Sequence, residues 1–201
     1  MTAPNGNRKL RVLGVDPAVA GATGFAVVEV DGAVARSLRF GALKLPARAL
    51  FGARLREIHA LIAALVEEFS PDAVAVESVF TALNMRTALK LAEVRGVILL
   101  AAAQASVPAH SYSPREVKAS IAGYGAATKE QMQHMVSAQL GLSERPEPPD
   151  AADALAVALC HAHMAIAQAR IAVAMAPRGT SPRIALAVRS QARGIRIEFR
   201  R

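Results

Sequence analysis

The chain has no tryptophan, and its aromatic share is only 4%. A core without large rings must be filled by alanine and aliphatic side chains, which favours helices packed closely on a sheet. Cysteine occurs once, at Cys160, which excludes an intramolecular disulfide and fits a reducing compartment. Acid is in deficit: 16 Asp and Glu stand against 24 Lys and Arg, giving a formal net charge of +8, a balance that suits a polyanionic partner. Long uninterrupted apolar runs are also missing. Residues 97–105 are too few to span a bilayer, and residues 151–176 are broken by Asp153, His161, His163, Gln168 and Arg170. Residues 1–9 are polar and lack the apolar stretch of a secretory signal. These absences predict a cytoplasmic protein with no membrane association.

What is present divides unevenly. Residues 1–9 read as a flexible N-terminus, 10–176 as one domain and 177–201 as a basic extension. The extension holds seven arginines against one acid, Glu198, and so carries +6 of the net charge. It is either a solvated tail or an arm that holds nucleic-acid phosphates without reading sequence.

The domain is organised around residues 10–29, LRVLGVDPAVAGATGFAVVE. Val12, Leu13 and Val15 form a buried strand that ends on Asp16. A small-residue turn follows, and then a second strand over residues 24–30. An ionised Asp closing an apolar strand is costly unless it is paired, hydrogen-bonded or metal-bound, so Asp16 is either a turn cap or a site. Residues 33–43 alternate as a third strand of an antiparallel meander. Leu55, Ile58, Ile62, Leu65 and Phe69 then recur at helical spacing. Residues 73–76 form a short strand ending on a second acid, Glu77. The helix predicted over 85–104 is apolar on several faces, so either a second subunit or later parts of the chain cover it.

A strand over 108–112 leads to a helix capped by Ser113 with Pro114 first, and then to one with Thr128 and Gln131 as a capping box. A Pro-rich loop delivers a last helix at Asp150, where Asp150 and Asp153 share one face of the first turn. Acids there are favoured by the helix dipole, which makes capping a sufficient reading of that pair alone. Together with Asp16 and Glu77, however, they make four carboxylates, two at strand ends and two at a helix start. If these ends converge, cations must lie between them, and hard oxygen ligands suit Mg²⁺ or Mn²⁺. Two such ions would support phosphodiester hydrolysis. Cys160, His161 and His163 do not make a zinc site, because adjacent and i+3 positions on one helix do not aim at one ion.

VLGVDPAVAGATGFAVVE, AVESVFTALNMRTALKLAEVRGV, SYSPREVKASIAGYGAATKEQMQHMV and DAADALAVALCHAH resemble, in order and spacing, the blocks of the RuvC family of Holliday-junction resolvases, of the RNase H-like superfamily. The resemblance implies an α/β fold with a mixed five-stranded RNase H-like sheet and helices on both faces. By position, Asp16, Glu77, Asp150 and Asp153 match the family's metal-binding catalytic acids. Lys118 and Lys129 match its basic residues beside the scissile phosphate, although solvated helix charges are the plainer reading of two lysines. Phe80 matches an aromatic that stacks on unpaired bases, and Asn84 falls in the same DNA-contacting block. The resemblance further implies a homodimer that nicks a four-way DNA junction symmetrically in recombination and repair, with Mg²⁺ or Mn²⁺, two ions per site, and collaboration with RuvA and RuvB. The chain departs from the family at Ala18, where glycine is usual, and at Leu83, where lysine is common. Its rivals are another RNase H-like nuclease and a junction-binding protein without catalysis.

Overall fold

The computed structural model describes residues 9–78 and 84–175. Five strands form one sheet in the order β3-β2-β1-β4-β5. They are β1 (Leu10–Asp16), β2 (Thr23–Asp31), β3 (Val34–Leu43), β4 (Ala73–Glu77) and β5 (Ala109–Tyr112). The first three make the expected antiparallel meander, while β4 lies parallel to β1, and β5 parallel to β4. The helices are α1 (Phe51–Phe69), α2 (Met85–Gln104), α3 (Pro114–Ala122), α4 (Lys129–Leu140) and α5 (Pro149–Met175). The last helix starts one residue before the expected Asp150, and β3 and β5 each start one residue later than expected.

Period-two alternation sorts the sheet's side chains between two cores. Val12, Ala26, Val28, Val30 and Ala75 pack against α5, α3 and α4. Leu13, Val15, Val27, Val74 and Val76 pack against α1 and α2. The same alternation sends Asp16 and Glu77 to the α5 face, and the pairing of Val15 with Val76 brings them to neighbouring strand ends. Both capping boxes form: Ser113 with Glu116 opens α3, and Thr128 with Gln131 opens α4. Among the described residues, α5 alone has the length and hydropathy to cross a membrane, with a mean hydropathy of 1.3 over Pro149–Ala172. Half of that stretch is buried, and the buried part is the helix's contact with the sheet.

Among the described residues, helix α2 is covered on one side only. Val94, Ile98, Ala101 and Ala102 are buried, whereas Met85, Leu89, Leu99 and Leu100 face outward. No described later part of the chain covers them.

Sequence reading passed over an acid inside β2. Glu29 is 1% exposed because Lys9, Arg11 and Arg36 close over it, with Arg11 at 2.8 Å and Lys9 at 3.2 Å. Arg11 and Arg36 are its partners on the flanking strands, so one carboxylate ties β1, β2 and β3 together. Hydrogen bonds from Arg11, then Arg36, outweigh burial and hold its pKa at about 2. A lowered carboxylate pKa gives stability that is present above the ordinary value and lost as pH falls through the folded one. The three cations can return to water, so Glu29→Gln should cost about 1–2 kcal/mol at pH 7. That gap should close as pH falls from about 4.5 towards 2, read from urea melts across this range. Equal stability at pH 7 would show that the cluster contributes nothing.

Candidate active site

Three parts of the fold meet at one edge of the α5 face. Asp16 closes β1, Glu77 closes β4, and Asp150 and Asp153 lie in the first turn of α5. Asp16, Glu77 and Asp153 line an open cleft of about 260 Å³ together with Lys118 of α3 and Lys129 of α4. Asp150 is not part of this lining but is close enough to act on Asp16 through its charge.

Backbone contact explains how α5 reaches the acids. A Cβ on Gly24, which pairs with Asp16, would lie 1.9 Å from the carbonyl oxygen of Asp150. A Cβ on Gly14 would lie 2.2 Å from the carbonyl oxygen of Ala154. Only glycine lets the helix lie this close, so two missing side chains set the position of Asp150 and Asp153. A glycine within a strand is the sequence signal for such an approach.

No hydrogen-bond donor reaches the carboxylates of Asp16 or Glu77 among the described residues. The turn after β1 is held instead by Thr23 Oγ1, which accepts from the Ala18 N–H at 3.4 Å. Ala18 fits that turn: among the described residues, only Ser70 and Ser106 of the non-glycines have positive φ. Burial, followed by the charges of Glu77, Asp153 and Asp150, pushes the Asp16 pKa up to about 8 against the opposing pull of Lys129. Burial and Asp153 push Glu77 to about 7, opposed by Lys118 and Lys129. Lys129 Nζ lies 3.2 Å from Asp153 Oδ2. Although burial acts to lower its pKa, the charges of Asp153, Asp150 and Asp16 win and raise it. Fully ionised, the four acids would carry more negative charge than the two lysines offset, and the raised pKa values are the mark of that crowding.

That excess is the property a divalent cation requires, and the donors are all hard oxygens. Among the described residues, no three His, Cys, Asp or Glu side chains are gathered tightly enough to ligate one ion as they stand. The fit rests on the donor chemistry and on the carboxylates of Asp16 and Glu77, which have no hydrogen-bond donor among the described residues.

Elsewhere, Asn84 is the N-cap of α2, its side chain accepting from the Thr87 N–H at 2.9 Å. Phe80 and Leu83 lie outside the described residues, as do residues 1–8 and 177–201 of the two terminal segments. His161 shares a hydrogen bond with the Tyr112 hydroxyl, His163 one with Ser120, and Cys160 is directed at the Glu116 carbonyl. The three side chains thus turn to three different partners. Sequence reading missed Arg54 and Arg95. Arg95 of α2 donates to the backbone carbonyl of Glu77 and, at 2.9 Å, to Ser111 Oγ.

A mixed sheet of three antiparallel and two parallel strands, with helices on both faces and acids at adjacent strand ends, is the architecture of an RNase H-like nuclease. The sequence profile of the family described as crossover junction endodeoxyribonuclease RuvC matches residues 12–161. A RuvC of Chloroflexus aggregans is 48% identical over 156 residues, which are 78% of this chain and 94% of the relative. A solved RuvC of Thermus thermophilus superposes with a TM-score of 0.74 at 38% identity, covering 79% of this chain and 97% of the other. The same organism's RuvC bound to a Holliday-junction substrate gives 0.72 at 37% identity, covering 79% and 96%. The chain belongs to the RuvC family, whose members are divalent-metal-dependent endonucleases.

Proposed function

We propose that the chain resolves four-way DNA junctions by metal-dependent hydrolysis of one phosphodiester in each of two opposed strands. The observation that carries this reading is that Asp16, Glu77 and Asp153 line one cleft with Lys118 and Lys129, with Asp150 near enough to act on Asp16 through its charge, on a chain of this family. In this reading the four acids hold Mg²⁺, or Mn²⁺ in its place, as two ions per site. Bound there, such ions would supply an activated water and a counter-charge for the leaving oxygen. Lys118 and Lys129 line the same cleft, where their ammonium groups would hold the scissile phosphate and offset the charge that develops on it. Raised pKa values at Asp16 and Glu77 mean that protons compete with cations for the site near neutral pH.

The uncovered apolar side of α2, with Leu89 58% and Leu100 51% exposed, supports a homodimer. Two sites at a fixed separation would select a junction by geometry, while basic surface supplies affinity that falls with salt. Phe80 and Asn84 are the proposed contacts to bases near the junction centre. Collaboration with RuvA and RuvB, and a cytoplasmic location, are carried by family membership alone.

The deciding experiment offers a labelled four-way junction, a linear duplex and an RNA–DNA hybrid to the chain with Mg²⁺ or Mn²⁺. Paired symmetric nicks on the junction alone are expected. Equal cutting of the linear duplex or the hybrid would assign another RNase H-like activity. Tight junction binding without nicks under either metal would leave a binding protein.

A further inference from the structure

Two arginines reach the site from the opposite face of the sheet. Helices α1 and α2 both pack on the side away from α5. From α1, Arg54 donates through Nη1 to the carbonyl of Gly21, at 3.2 Å, in the loop that follows Asp16. From α2, Arg95 forks between the Glu77 carbonyl and Ser111, and so bridges the ends of β4 and β5. Neither has an acidic partner among the described residues, and Arg54 is only 6% exposed. Burying a guanidinium without a counter-charge is costly, and a solvated surface role does not explain it.

We propose that Arg54 and Arg95 are positioning residues that brace the acid-bearing edge of the sheet from behind, keeping Asp16 and Glu77 in place to receive a divalent cation. The inference rests on the metal-site reading above. Asp16 and Glu77 have no hydrogen-bond donor among the described residues, so in their ionised, metal-receiving form their repulsion pushes the two strand ends apart. Each brace grips the main chain at or just beyond one acid, Arg95 at Glu77 itself and Arg54 five residues past Asp16. Main-chain attachment leaves both carboxylates free for ligation. A guanidinium suits the Arg95 position because its planar fork reaches two acceptors on adjacent strands at once, whereas an ammonium there can hold only one of them well.

The test compares the full-length chain with Arg95→Gln, Arg54→Gln, Arg95→Lys and Arg54→Lys. Mn²⁺ uptake without DNA is measured by titration calorimetry, alongside metal-free melting, metal-free junction binding and the Mn²⁺ dependence of cleavage. Loss of a residue that orients metal ligands should weaken Mn²⁺ affinity about 10-fold or more. The cleavage midpoint should move to higher Mn²⁺ by a similar factor, with junction binding unchanged. Arg95→Lys should recover part of the lost affinity. If a glutamine variant does not fold, the lysine variant at that position carries the comparison. Parent-like Mn²⁺ affinity in the variants, or a deficit that only follows a fall in melting temperature, would overturn the brace. A parent chain that takes up no Mn²⁺ would overturn the metal-site reading and the brace with it.

Discussion

Asparagine at position 16 is expected to lower junction cleavage by at least about 10³-fold, to leave junction binding intact, and to make the metal-free protein more stable at pH 8. The first effect follows from removing a carboxylate from a cleft that has no spare acid to replace it. The last follows from the Asp16 pKa, which burial and then neighbouring charge lift from an ordinary 3.8 to about 8. Between these values the folded chain holds a proton that the unfolded chain has released, so stability falls as pH rises across that window. Glu77, pushed to about 7, acts in the same sense. Asparagine has no charge to bury. The gain should therefore be absent below about pH 4 and complete by about pH 8, where it amounts to about 1–2 kcal/mol or about 2–8 °C in melting temperature. Mg²⁺ should raise the melting temperature of the parent at pH 8 and do so much less for the variant. Cleavage that survives the substitution, or a metal-free variant that melts no higher than the parent, would separate Asp16 from the metal site.

The second large effect is expected from a single uncharged methyl group. Gly24→Ala places a carbon 1.9 Å from one backbone atom of Asp150 and 2.5 Å from another. Main-chain atoms cannot rotate aside, so the start of α5 must retreat from β2. Overpacking of this kind should cost about 2–4 kcal/mol. Activity should suffer more than stability, because Asp150 and Asp153 ride on the displaced turn and a shift of about 1 Å in a reacting group costs about 10²-fold. Gly52→Ala is the control. It lies in α1 with nothing within 4 Å of its Cβ, and should be neutral or stabilising by up to about 1 kcal/mol. Denaturant melts and single-turnover cleavage on the same preparations separate the two effects. If Gly24→Ala melts and cleaves like the parent, the close approach does not position the site.

The acids were legible because each ends a locally readable element. Strand alternation runs out at Asp16 and at Glu77, and the Pro-rich loop marks the helix start that carries Asp150 and Asp153. The capping boxes at Ser113 and Thr128 were legible for the same reason, since partner and cap are three residues apart. Glu29 was not, because its partners Arg11 and Arg36 come from other strands and only the register brings them opposite. Arg54 looked like one more charge among Arg56 and Glu57 on an amphipathic helix. Its burial depends on the loop after β1, which lies more than 30 residues earlier in the chain. Alpha helix 2 was read as apolar on several faces, and that pattern was right. Whether the rest of the chain would cover it was a question no local pattern could answer.

The sequence by itself determined the strand and helix types, the excess of basic charge, the four acids and the family, because these depend on residue order and near neighbours. The tertiary structure decided that Asp16, Glu77 and Asp153 line one cleft. It also decided how closely α5 approaches, through Gly14 and Gly24, and which arginines turn inward. The physical reason is that such contacts join backbone atoms and side chains from segments far apart in the chain, and their distances are fixed only when the sheet and its two helical layers pack together.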